Sequence, residues 1–198
     1  MVVRDLALAL KRQGHQPLVF SPKLGAISRE IRSQDIEVTS DLTKLDSVPD
    51  IIHGHHHPQT AEALAHFPTV PAVWVCHSGD SRLDGPFYFP RILRYVAVDD
   101  LCRKRVESAS RMPPSRIEVI WNAVDLERFT QRAALPAKPR RALVFSNYAD
   151  NSTHLPAVRR ACKRAGVNLD VVGHGMGTGT ANPELVLPRY DIVFAKAR

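Results

Sequence analysis

The sequence predicts an α/β protein built from two Rossmann-like domains with parallel sheets. Two observations lead there. Short apolar runs alternate with helical periods along almost the whole chain, the pattern of a parallel sheet covered by helices. That alternation lapses once, in a Pro-rich stretch, and then resumes.

In order, residues 2–12 read as a helix, with Val2, Leu6, Ala9 and Leu10 at three- and four-residue spacing. Gly14 stands where a helix C-cap is expected. Residues 17–20 form a short apolar strand, 26–31 a helix and 36–39 a second strand. A strand at 50–53 follows Pro49, and 61–66 is helical. Residues 72–76 (AVWVC) are nearly all apolar, as expected of a strand covered on both faces. Strands at 95–98 and 117–120 repeat this around a polar helix at 101–110. Residues 135–140 (LPAKPR) read as a linker. A second unit then opens with a strand at 142–145, a helix from about Pro156 to Ala165 and a strand at 169–172, and it ends with a strand at 192–194. The expected organisation is an N-terminal domain at 1–126, a linker at 127–140 and a C-terminal domain at 141–198.

Composition narrows the class. The 198 residues are 44% hydrophobic and 24% charged, an ordinary globular balance rather than a disordered one. Cys76, Cys102 and Cys162 are scattered singly, which argues against a disulfide framework or a structural zinc site. No apolar run reaches the roughly 18 residues of a membrane span. No basic-then-apolar leader is visible either, so a cytoplasmic protein is expected. The formal charge of +7 is concentrated: residues 101–165 hold 14 Lys and Arg against 5 Asp and Glu, or +9. Such a face suits phosphorylated ligands, nucleic acid or an anionic membrane, or it is simply solvated. Aromatics are only 7% and do not interleave with the basic residues, so no platform for nucleic acid is expected.

Three segments carry chemistry. His53, His55 and His57 alternate with Gly54 and His56, so an extended strand would put the odd-numbered rings on one face, as metal ligands or as the lining of a sheet edge. His77 ends the strand 72–76 and precedes Ser78; it is either a bare strand-end histidine or a site residue at the edge where open α/β sheets bind ligands. Residues 173–179 (GHGMGTG) follow a strand, as a plain turn or as a loop whose amides approach a phosphate.

Four segments together resemble the family 4 glycosyltransferases of the GT-B fold. Residues 8–15 (LALKRQGH) and the following strand are similar to the family's first helix, turn and strand. Residues 49–57 (PDIIHGHHH) are similar to its histidine-bearing strand, and 116–129 (RIEVIWNAVDLERF) to its hinge. Residues 182–195 (NPELVLPRYDIVFA) look like a helix and strand of its second domain. By resemblance, the intact enzyme moves a hexose from a nucleotide-diphosphate sugar to a glycan, lipid or small-molecule acceptor, retaining configuration, and these 198 residues alone are expected to be inactive. His77 would be catalytic, with His53, His55 and Ser78 binding the acceptor. Ser146, Asn147, Gly173 and Gly175 would bind the donor, with no metal and no cofactor. Self-association and contact with the inner face of a membrane stay open, as do a non-catalytic remnant and a sugar-nucleotide epimerase. The chain departs from the family in three places. A strand expected before the first helix and a glutamate-bearing segment expected after the last strand do not occur, so both domains are expected to be incomplete. After Phe145, the Arg and Lys that clamp the diphosphate in many relatives give way to Ser146-Asn147-Tyr148, with Arg159 and Arg160 as nearby cations. Without that first strand, the strands at 17–20 and 51–53 are expected to close up, to be bridged by a second copy, or to belong to a longer chain.

Overall fold

The computed structural model describes residues 2–109, 111–173, 175, 177–180 and 182–195. Ser110, expected to end a helix, and His174 and Met176 of the Gly-rich stretch lie outside the described residues. The chain divides into two compact units, 1–122 and 123–198.

In the first unit α1 (Val2–Arg12) ends at Gly14, whose φ of +86° suits a residue without Cβ. Strand β1 (Leu18–Phe20), α2 (Ala26–Arg32) and β2 (Glu37–Thr39) follow, and β1 and β2 pair in parallel. Next come β3 (Ile52–Gly54), α3 (His57–His66), β4 (Ala72–Cys76), β5 (Ile92–Ala97), α4 (Asp100–Glu107) and β6 (Ile117–Val119). These four strands form a parallel sheet in the order β3-β4-β5-β6. The expected alternation is therefore present, with two extensions. β5 begins three residues earlier than its apolar run, and α3 begins at His57 rather than Ala61, because Pro58 fits a first helical turn that needs no donor there.

Strands β1 and β3 do not pair with each other: β1 and β2 make a separate two-stranded sheet. Of the arrangements expected without a strand between them, closing up is not the one adopted. The two sheets are instead tied by side chains, since Phe20 of β1 and Ile52 of β3 both pack on the cluster Leu42, Ala63, Phe67 and Val70.

The main core lies on the four-stranded sheet, where Leu64, Trp74, Ile92 and Tyr95 are fully buried. Tyr95 meets Trp74 edge-on, with centroids 6.2 Å apart, and its hydroxyl accepts from the Phe89 amide at 2.9 Å, so the buried phenol is satisfied. Asp99 caps α4 by accepting from the Cys102 amide at 2.7 Å.

In the second unit, β7 (Arg141–Phe145), α5 (Leu155–Ala165), β8 (Asn168–Val172), α6 (Pro183–Val186) and β9 (Ile192–Ala195) form a parallel sheet in the order β8-β7-β9. The chain leaves β7 toward β8 on one side and returns to β9 on the other. The carboxyl end of β7 is thus the switch point where open sheets offer a crevice.

The carbonyls at the end of α3 are gathered by one side chain. The Arg91 guanidinium donates to the carbonyls of Leu64, Phe67 (2.9 Å) and Val70, locking α3 and the turn after it to β5. Replacing Arg91 by Met keeps the stem but strands those acceptors. The expected cost is about 1–3 kcal/mol, read as a lowered urea midpoint with an unchanged slope.

Candidate active site

Site residues of the first unit come from the carboxyl ends of β3 and β4. The chain leaves β3 at Gly54, and a Cβ there would lie 2.2 Å from Thr60 Oγ1 and 2.9 Å from Thr60 Cβ. Only glycine lets α3 start this close to the strand. Thr60 in turn donates to the His56 carbonyl at 2.7 Å, which pins the tight turn 54–57. That turn sets three histidines in different directions.

His55 Nε2 lies 3.1 Å from His53 Nδ1, and His55 Nδ1 lies 2.9 Å from His77 Nε2. The His55 and His77 planes are within 13° of each other with centroids 5.1 Å apart, as for an in-plane N–H···N bond. His57 does not share this face. As the first residue of α3 it stacks on Phe87, with centroids 4.2 Å apart. The strand alternation expected through 57 therefore ends at His55, because the backbone turns helical. His56 points elsewhere, its Nδ1 lying 3.3 Å from the carboxylate of buried Asp84. Among the described residues, no cluster of three or more His, Cys, Asp or Glu has a geometry able to hold a metal ion.

Burial lowers all three rings of the array. His55 is pushed down to about 3, by desolvation first and then by its neighbours His53 and His77. His53 and His77 also fall below 6.5, again chiefly through desolvation; Asp84 pulls His77 back part of the way. The array is neutral at pH 7 and offers hydrogen bonds rather than charge.

Ser78 is occupied by its own loop. Its hydroxyl donates to Asp80 at 2.7 Å and accepts from the Asp80 and Ser81 amides, holding the segment that leads to Asp84. Arg105 of α4 donates to the Ser81 carbonyl at 2.7 Å and fixes the same loop. Sequence reasoning missed Asp84, Phe87 and Arg105. Nothing local marks Asp84, whose importance arises from burial against His56.

In the second unit Ser146, Asn147, Gly173 and Gly175 are brought together at the switch point. A Cβ on Gly173 would lie 1.9 Å from the Ser146 carbonyl oxygen, and one on Gly175 would lie 2.9 Å from that of Asn147. The Gly173 amide donates to Thr178 Oγ1 at 3.3 Å, and the buried Ser146 hydroxyl accepts from the Tyr148 amide at 3.2 Å. These glycines let the loop after β8 close on the end of β7. Arg159 is not at this edge. With Lys163 it lines a groove beside Gly166–Leu169, at the end of α5 and the start of β8.

The profile of Glycosyltransferase Family 4 matches residues 1–128. The chain belongs to that family. Its fold is similar to that of a crystal structure of a glycosyltransferase from Rickettsia africae ESF-5, with a TM-score of 0.59 at 16% identity. The match covers 97% of this chain and 63% of the other, so the chain spans less than two thirds of that enzyme's length. No curated protein sequence matches this family 4 chain significantly. Its architecture, two units with wholly parallel sheets, is of the GT-B type. Among the described residues, no helix is long and apolar enough to cross a membrane.

The low value for His55 has a consequence for stability. The unfolded chain takes up this proton near pH 6.5, whereas the folded chain resists until about pH 3. Between these limits the unfolded state binds more protons, so stability is full above pH 6.5 and falls as the pH drops. The expected slope for this one proton approaches about 1.4 kcal/mol per pH unit. In chemical denaturation at pH 7, 6, 5 and 4, His55→Phe is expected to flatten the decline. An equal slope in both proteins would show that His55 is not the responsible group.

Proposed function

We infer that this family 4 chain serves the transfer of a hexose from a nucleotide-diphosphate sugar to an acceptor hydroxyl, with retention at the anomeric carbon. The observation that carries the reading is the placement of His77. It stands at the carboxyl end of β4, within hydrogen-bond reach of His55, just after β3, and inside the stretch matched by the family profile. In the reaction the acceptor oxygen bonds to the anomeric carbon as the bond from that carbon to the diphosphate oxygen breaks. The acceptor's proton leaves at the same time.

A neutral His77 contributes by position. Its Nδ1 has no hydrogen-bond partner among the described residues, so it can bond a sugar or acceptor hydroxyl. His53 and His55 hold the acceptor side in this reading, while Ser78 shapes the loop that closes the site. Ser146, Asn147, Gly173 and Gly175 would face the donor at the switch point of the second sheet, where charge develops on the departing diphosphate and oriented donors are most valuable. Neither a metal nor a cofactor has a part in the reading.

Two measurements test it. Calorimetry with UDP-hexose and GDP-hexose donors is expected to show saturable binding, weakened in Asn147→Ala. In an extended version of the protein, His77→Ala is expected to lower turnover by about 100-fold or more with the fold intact by circular dichroism. Absence of binding to any nucleotide-sugar would refute the donor class. Full turnover in His77→Ala would remove that residue from the reacting centre.

A further inference from the structure

We propose that His53, His55 and His77 form a proton relay that links the hydroxyl site at His77 to solvent at His53. This deepens the preceding reading in one respect, since its use requires a substrate hydroxyl at His77. The wiring itself stands on geometry alone.

Each of the two ring-to-ring contacts, 3.1 Å and 2.9 Å, holds one hydrogen between two nitrogens. His55 uses both of its ring nitrogens, one toward each neighbour. A neutral imidazole carries only one N–H, so His55 must donate on one side and accept on the other. This constraint leaves two arrangements for the whole array. In the first, His53 Nδ1–H donates to His55 Nε2 and His55 Nδ1–H donates to His77 Nε2; His77 then carries its hydrogen on Nδ1 and presents a donor. In the second, His77 Nε2–H donates to His55 Nδ1 and His55 Nε2–H donates to His53 Nδ1; His77 Nδ1 is then a bare acceptor.

The two arrangements interconvert by moving one proton through the array. Starting from the second, a hydroxyl gives its proton to His77 Nδ1. The Nε2–H of His77 passes to His55 Nδ1, and the Nε2–H of His55 passes to His53 Nδ1. His53, an exposed residue, then releases its Nε2–H to water. One proton enters, one leaves, and all three rings end neutral. The transfer has to be concerted at the centre, because the burial that holds His55 at about 3 disfavours a standing cation there.

Two other titratable side chains act on the array: His56 on both His55 and His77, and Asp84 on His77. His56 is turned toward Asp84, His57 is stacked on Phe87, and Asp84 acts on His77 from the loop packed beside it. Arg105 is engaged with the Ser81 carbonyl.

The test uses the full chain labelled with nitrogen-15 in its histidines, without substrate. Expected are scalar couplings across both hydrogen bonds, His53 to His55 and His55 to His77. In His53→Phe, which alters only the outer end, the nitrogen shifts of His77 should change as its tautomer balance moves. In His55→Phe, which keeps a ring but cuts the wire, a further change at position 53 should no longer reach His77. Missing couplings in the wild-type protein, or His77 shifts indifferent to His53→Phe, would overturn the relay. Intact couplings in a chain that binds no UDP-hexose or GDP-hexose would support the relay and count against the functional reading alone.

Discussion

The first unit's site depends on one missing side chain. Gly54 ends β3 so near to α3 that any Cβ would meet Thr60 at 2.2 Å. This close approach forces the chain to turn within three residues, from strand at Gly54 to helix at His57. The turn separates four consecutive positions into four environments: Gly54 against Thr60, His55 against His77, His56 against Asp84 and His57 against Phe87. With a looser turn the run of histidines would be a flexible basic tract rather than an array with fixed hydrogen bonds.

The second unit reaches a related result by the same device. Gly173 brings the end of β8 against the Ser146 carbonyl, and Gly175 lies against that of Asn147. In both units a parallel sheet delivers its strand ends to one edge, and glycine allows the following segment to fold back over it. The chemistry offered differs. The first edge presents imidazoles held neutral by burial; the second presents backbone and small polar groups at a switch point.

The fold was legible because its signals are local. The apolar run 72–76 is β4 residue for residue, and Gly14 ends α1 with the positive φ that its position implied. The His77–His55 neighbourhood was legible in outline, since both segments end strands of one sheet. The detailed wiring was not. That His57 leaves the shared face depends on where α3 begins, and Pro58 was the only hint of it. Asp84 and Phe87 lie in a loop of no regular pattern, and their roles come from what packs over them. The glycines at 173 and 175 stand out in the sequence, but the carbonyl oxygens of Ser146 and Asn147, just after β7, that a Cβ on them would meet do not. Pairwise crowding of that kind leaves no trace in a single chain of letters.

If crowding between Gly54 and Thr60 shapes the histidine site, a double-mutant cycle will show the two positions to be coupled. Stability by urea unfolding and the His55–His77 ring contact by nuclear Overhauser effect would be measured in Gly54→Ala, Thr60→Gly and the double variant. Gly54→Ala alone is expected to be strongly destabilised and to lose the ring contact. Thr60→Gly in the same chain is expected to restore much of both, giving a coupling well above the roughly 0.5 kcal/mol within which independent sites add. Additive effects, or a Gly54→Ala protein with its ring contact unchanged, would show that this crowding does not shape the site.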